Sequence, residues 1–147
     1  MAPLKVYLAG PWQSHAYFSQ CAEDLEAAGL EITHAWFRKN IGLTSTCDAL
    51  LDTLGVANCD VFVAYMTLDD YRYAGTFTEL GMAIALRKMI FLVCPPPKAE
   101  GAVQTWKTNV FVNLGMCHRV ASWQELLQSL GVRDKDGNVP AKRARVE

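Results

Sequence analysis

Asp60-Val61-Phe62-Val63-Ala64-Tyr65 is the stretch on which the fold depends. The five residues after the aspartate are all apolar, mostly of β-branched or aromatic type. The run is short for a helix and lacks the alternation of a strand that is wet on one face. A strand of this kind is buried on both faces, as in a parallel sheet covered by helices. Upstream, apolar spacing predicts a helix over residues 46–56, a strand over 30–33, and a helix over 14–28 that stops at Gly29. The chain enters through a strand over residues 5–9 that ends at Gly10-Pro11. Downstream come a helix over 76–86 and a strand over 89–93 that Pro95-Pro96-Pro97 terminates. A weak strand is expected at 110–112, then a helix opened by Ser122 with Glu125 as its capping-box partner. Strands alternating with helices predict an α/β fold: a doubly wound, mainly parallel sheet of about five strands in a flavodoxin-like, Rossmann-like order.

Composition narrows the function. The chain has 147 residues, 51% of them apolar, enough for one domain with a real core, expected over residues 1–131. A formal net charge of −1 provides no field for a polyanion, so a small ligand is expected rather than nucleic acid. Cys21, Cys47, Cys59, Cys94 and Cys117 are odd in number and lack metal-ligand spacing. They read as reduced thiols of a cytoplasmic protein, with no metal or organic cofactor. Since no apolar run reaches the length of a signal or membrane segment, the chain is expected to be soluble and unprocessed, without a membrane partner. Residues 132–147 lack apolar periodicity and read as a disordered basic tail. Its Lys142-Arg143-Ala144-Arg145 reads first as plain solvated charge, with a nuclear-import patch as the lesser alternative.

Ligands of open α/β sheets bind beyond the carboxyl ends of the strands, and three segments there carry usable chemistry. Gly10-Pro11-Trp12-Gln13-Ser14 offers close backbone approach and a helix start. It has no cation and matches no dinucleotide or triphosphate loop. The segment from Met66 to Glu79 is longer than a connection needs and ends in Thr76-Phe77-Thr78-Glu79. That spacing is a capping box, in which Glu79 does no more than tie down its helix. Alternatively, Glu79 is a first-turn carboxylate kept ionised by the helix dipole, as a nucleophile requires. Asp48 and Asp52 share a helix face ahead of the central strand. They are ordinary helix charge, or one of them exchanges a proton with a leaving heterocycle while Glu79 attacks a sugar carbon. His15, His34 and His118 form no spaced ligand set and read as packing or surface residues, with His34 at the site edge.

These pieces together resemble the nucleoside 2-deoxyribosyltransferase family, which includes nucleoside-monophosphate N-glycosidases, over roughly residues 4–130. Val6-Tyr7-Leu8-Ala9-Gly10-Pro11-Trp12 is similar to the family's opening strand and loop, whose tyrosine hydroxyl approaches the nucleophile. Asp52 sits where the family keeps an aspartate that handles the base. Gly75-Thr76-Phe77-Thr78-Glu79-Leu80-Gly81-Met82-Ala83 resembles the segment whose glutamate forms the deoxyribosyl-enzyme. Asn113-Leu114 resembles the segment through which a neighbouring subunit reaches the 5′-hydroxyl. Tyr73 departs from the pattern, standing where well-studied transferases carry a second aspartate.

The resemblance implies Glu79, Asp52 and Tyr7 as catalytic residues, with Gly10, Trp12, Gly75, Thr76 and Asn113 at the substrate. It implies a nucleoside and a free base as ligands, and a homodimer or larger homo-oligomer. The expected activity is 2′-deoxyribosyl transfer between bases. The alternatives are hydrolysis of a deoxynucleoside 5′-monophosphate and a non-catalytic sensor of nucleotide derivatives on the same fold.

Overall fold

The computed structural model describes residues 2–38 and 46–140. Five strands, β1 (Lys5–Ala9), β2 (Glu31–Ile32), β3 (Val61–Tyr65), β4 (Met89–Val93) and β5 (Cys117–Val120), form one sheet in the order β2-β1-β3-β4-β5. Every pairing is parallel, with Tyr7 opposite Phe62 and Ala64 opposite Leu92. This is the flavodoxin-like order. Its strand sequence reverses between β1 and β3, where such sheets open a crevice for a ligand.

Helices α1 (His15–Ala27) and α4 (Trp123–Ser129) cover one face, and α2 (Thr46–Asn58) and α3 (Ala74–Ala85) the other. The alternation of side chains along each strand sorts the core into two layers. Val6, Leu8, Val63 and Tyr65 pack with Phe18, Leu25 and Trp123. Tyr7, Ala9, Phe62 and Ala64 pack with Val56, Leu80 and Ala83. Tyr7 is therefore directed toward α2 and α3, the helices that carry the two carboxylates.

Four expectations need correction. Helix α3 begins at Ala74, not at residue 76, so Thr76 lies inside its first turn and caps nothing. Its N-cap is Tyr73, in left-handed backbone at φ 49°, whose hydroxyl donates to the Leu68 carbonyl while accepting from the Leu68 amide at 2.9 Å. Tyr73 thereby closes the loop before α3, and its ring is buried. The last strand is Cys117–Val120, and residues 110–113 form a turn. Only Val112 of the apolar run 110–112 is buried, while Val110 and Phe111 face solvent.

Helix α4 starts as expected, with the Ser122 hydroxyl accepting from the Glu125 amide at 3.2 Å. The Glu125 carboxylate, however, accepts from the amide of Ala121 instead of Ser122 (2.8 Å). The fourth correction concerns Val132, expected in the tail: it is 2% exposed, joins the core beside Leu127, and is followed by Val139 packed on the same cluster. Residues 141–147, with the basic cluster, lie outside the described residues. Val132→Ala is expected to cost about 1–2 kcal/mol in urea unfolding, the scale of a lost buried aliphatic group. An unchanged midpoint would return Val132 to the tail.

Among the described residues no helix is long and apolar enough to cross a membrane, and no cluster of His, Cys, Asp and Glu is placed to hold a metal ion.

Candidate active site

Three elements bring Tyr7, Asp52 and Glu79 together. The Tyr7 hydroxyl, at the middle of β1, donates to Asp52 Oδ1 of α2 at 3.2 Å and also hydrogen-bonds the Glu79 carboxylate of α3. Its ring is fully buried and stacks on Phe62 at 5.9 Å. Burial, reinforced by the charges of Glu79 and Asp52, pushes the phenol far above its ordinary value, so the hydroxyl remains a donor. One O–H thus serves two carboxylates and satisfies only one of them fully at a time.

Glu79 is the more unusual acid. Its position one and a half turns into α3 removes it from the helix N-terminus, so the dipole does not hold it ionised. Burial instead pushes its carboxyl up to about 8. The Tyr7 hydrogen bond opposes that rise and the nearby Asp52 charge adds to it. Glu79 Oε2 is buried and has no hydrogen-bond partner among the described residues. Orphaned buried carboxylate oxygens are costly and are tolerated where a ligand or a reaction uses them. Gly75, one turn before Glu79, leaves the approach open: a Cβ there would have Glu79 Oε1 as its nearest neighbour, at 4.0 Å.

The chain belongs to the family whose model matches residues 6–117, described as nucleoside 2-deoxyribosyltransferase. The matched span of the nucleoside 2-deoxyribosyltransferase family includes Tyr7, Asp52 and Glu79, which the fold brings together. Among solved structures, the protein BlsM superposes with a TM-score of 0.65 at 26% identity, covering 89% of this chain and 88% of that one. The CMP N-glycosidase BcmB of Clostridium botulinum superposes with a TM-score of 0.56 at 23% identity, covering 86% of this chain and 96% of that one, and shows the shared fold. No curated protein matches the chain.

The remaining expected site residues are placed less centrally. Trp12 opens the short 3-10 turn Trp12–Ser14, is 36% exposed, and stacks on His15 at 4.6 Å. Gly10 is needed for packing: a Cβ there would meet the Phe18 ring at 2.1 Å. Thr76 is buried in the first turn of α3. Asn113 is exposed, and its side chain donates to the carbonyls of Lys107 and Asn109 and accepts from Arg119, all near its own turn. Beyond β1, the hydroxyls of Ser14 and Thr67 pair at 2.7 Å between the α1 entry and the segment after β3.

Two residues outside the expected set complete the centre. His34 Nε2 lies 3.4 Å from Asp52 Oδ1. Gly55, one turn after Asp52, is where α2 meets the sheet: a Cβ there would stand 2.8 Å from the Tyr7 ring and 2.9 Å from His34 Cβ. The Gly55 carbonyl accepts from the Thr33 hydroxyl at 2.8 Å, tying that approach to the end of β2. A glycine inside a helical pattern was the available signal, since it costs about 1 kcal/mol against alanine and is kept for close contact. Gly55→Ala is expected to displace α2 and lower turnover at least about tenfold, because angstrom-scale misplacement of a catalytic group is costly. Wild-type turnover in the alanine variant would show that the contact does not set the Tyr7–Asp52 geometry.

Proposed function

We propose that this protein is a nucleoside 2′-deoxyribosyltransferase that works by double displacement through Glu79. The observation that carries this reading is the buried, unpartnered Glu79 Oε2 beside a tyrosine whose hydroxyl also reaches Asp52. In the first half-reaction a Glu79 carboxylate oxygen attacks C1′ of the deoxyribose. The C1′–N bond breaks, its electron pair stays on the base nitrogen, and a proton passed through Asp52 neutralises the departing base. In the second half, a nitrogen of another base attacks C1′, the ester to Glu79 breaks, and the incoming base's proton returns to Asp52. Tyr7 orients Glu79 and steadies its charge as it ionises for attack. Trp12, Gly10, Gly75 and Thr76 are assigned to the substrate. Asn113 is assigned to the pocket of a second copy in a homodimer or larger assembly, where exposed Val110, Phe111 and Leu114 would be covered.

A second reading, hydrolysis of a deoxynucleoside 5′-monophosphate, is favoured by the Ser14–Thr67 hydroxyl pair at the head of α1, where a phosphate would find donors. BcmB, a CMP N-glycosidase, has a similar fold. Chromatography of the protein with deoxynucleosides, their 5′-monophosphates and free bases separates the readings. New nucleosides are expected. Free base alone, fastest from the monophosphate, would replace transfer by hydrolysis, and ligand bound but unchanged would make the protein a sensor.

A further inference from the structure

We infer that His34 is a positioning residue for Asp52, held in place by the close approach of α2 at Gly55, and that it acts on glycosyl chemistry only through that carboxylate. The inference rests on the function proposed above. Asp52 lies on a solvent-reaching helix, with its side chain 30% exposed, and an aspartate in such a place has several rotamers available. Two contacts from different elements restrict it. Tyr7 of β1 donates to Oδ1 at 3.2 Å, and His34 Nε2, just beyond β2, stands 3.4 Å from the same oxygen. The hydroxyl donor on one side and the imidazole nitrogen packed at 3.4 Å on the other narrow the orientations open to the carboxylate.

The backbone makes this geometry rigid. His34 follows Thr33, whose hydroxyl is bonded to the Gly55 carbonyl at 2.8 Å, and the His34 Cβ sits against Gly55 itself. The imidazole therefore approaches Asp52 from a fixed base. Among the described residues the imidazole stands against Asp52 of α2, which meets the Tyr7 hydroxyl of β1, and that hydroxyl leads on to Glu79 of α3. His34 reaches the nucleophile through Asp52 and Tyr7, and the assigned role is to aim the carboxylate that manages the base proton.

The test is a double-mutant cycle on turnover with His34→Ala, Asp52→Asn and the double variant, each checked for folding by circular dichroism and urea unfolding. His34→Ala is expected to lower kcat about 10- to 30-fold with KM changed less than about threefold, since losing the contact at Asp52 misplaces a group without removing substrate contacts. In the Asp52→Asn background the same change is expected to cost less than about twofold. His34→Gln, whose amide nitrogen can occupy the place of Nε2, is expected to recover most of the loss, which a general loss of packing would not allow. Full additivity in the cycle, or wild-type kcat in His34→Ala, would overturn the inference while leaving the transferase reading intact. A wild type without any turnover removes that reading and this role together.

Discussion

Replacing Glu79 by glutamine is expected to leave a folded protein that has lost at least about 10³-fold of its glycosyl turnover, the scale seen when a nucleophile is removed. Glutamine fills the same space and keeps a polar head, but its amide does not form the ester with C1′. The same substitution is expected to change stability relative to the wild type by an amount that depends on pH. The folded state holds the Glu79 proton up to about 8, whereas the unfolded chain releases it near 4.5. The stability contributed by this buried acid is thus fully present below 4.5 and is lost as pH rises through about 8. Glutamine carries no such titration. Urea unfolding at pH 5 and pH 8.5 should show the Gln variant gaining on the wild type by a few kcal/mol at the higher pH. A variant equally stable relative to wild type at both values would mean that Glu79 is not raised, and retained turnover would remove it from the chemistry.

The second large effect separates the two neighbours of Glu79 by direction. Asp52→Asn removes a negative charge that raises the Glu79 carboxyl, whereas Tyr7→Phe removes a hydrogen bond that lowers it. The rise of kcat/KM with pH, which follows ionisation of Glu79 in the free enzyme, is therefore expected to move to lower pH in Asp52→Asn and to higher pH in Tyr7→Phe. Both variants are expected to lose rate at their own optimum. The loss is about 10²–10⁴-fold for Asp52→Asn, the range of general acid–base catalysis. It is about 10- to 100-fold for Tyr7→Phe, the range of one hydrogen bond to a charge. Profiles moving in the same direction would contradict the arrangement of one hydroxyl between two carboxylates.

The parts of the fold that could be read from the chain are those whose sequence pattern has a single cause. Strands β1, β3 and β4 are apolar because both of their faces are buried, and their bounds were recognisable to within a residue. Strand β5 lies at the sheet edge with His118 and Arg119 exposed, so Cys117-His118-Arg119-Val120 carries little apolar signal, and the neighbouring run 110–112 drew the expectation away. The start of α3 was hidden for a different reason. Tyr73 ends the preceding loop through its buried ring and its bonds to Leu68, which are tertiary contacts, while Thr76 and Glu79 imitate a cap inside the helix. Tyr7 was singled out by the family resemblance of its strand, and the same resemblance lifted Asp52 and Glu79 above ordinary helix charge and a capping box. Gly55 and His34 act through proximity: one is a missing Cβ against an aromatic ring, the other an imidazole brought to a carboxylate by chain packing. Proximity of this kind leaves no trace in spacing beyond the glycine inside the α2 pattern.

Bonding of Glu79 to the sugar is detected by rapid acid quench followed by peptide mass spectrometry. Protein mixed with a 2′-deoxynucleoside in the absence of an acceptor base should show a deoxyribosyl adduct on the peptide containing Glu79. The adduct should disappear when a second base is added and should be absent from Glu79→Gln. Turnover proceeding at full rate with no adduct on that peptide at any quench time, or with an adduct on another residue, would contradict the account.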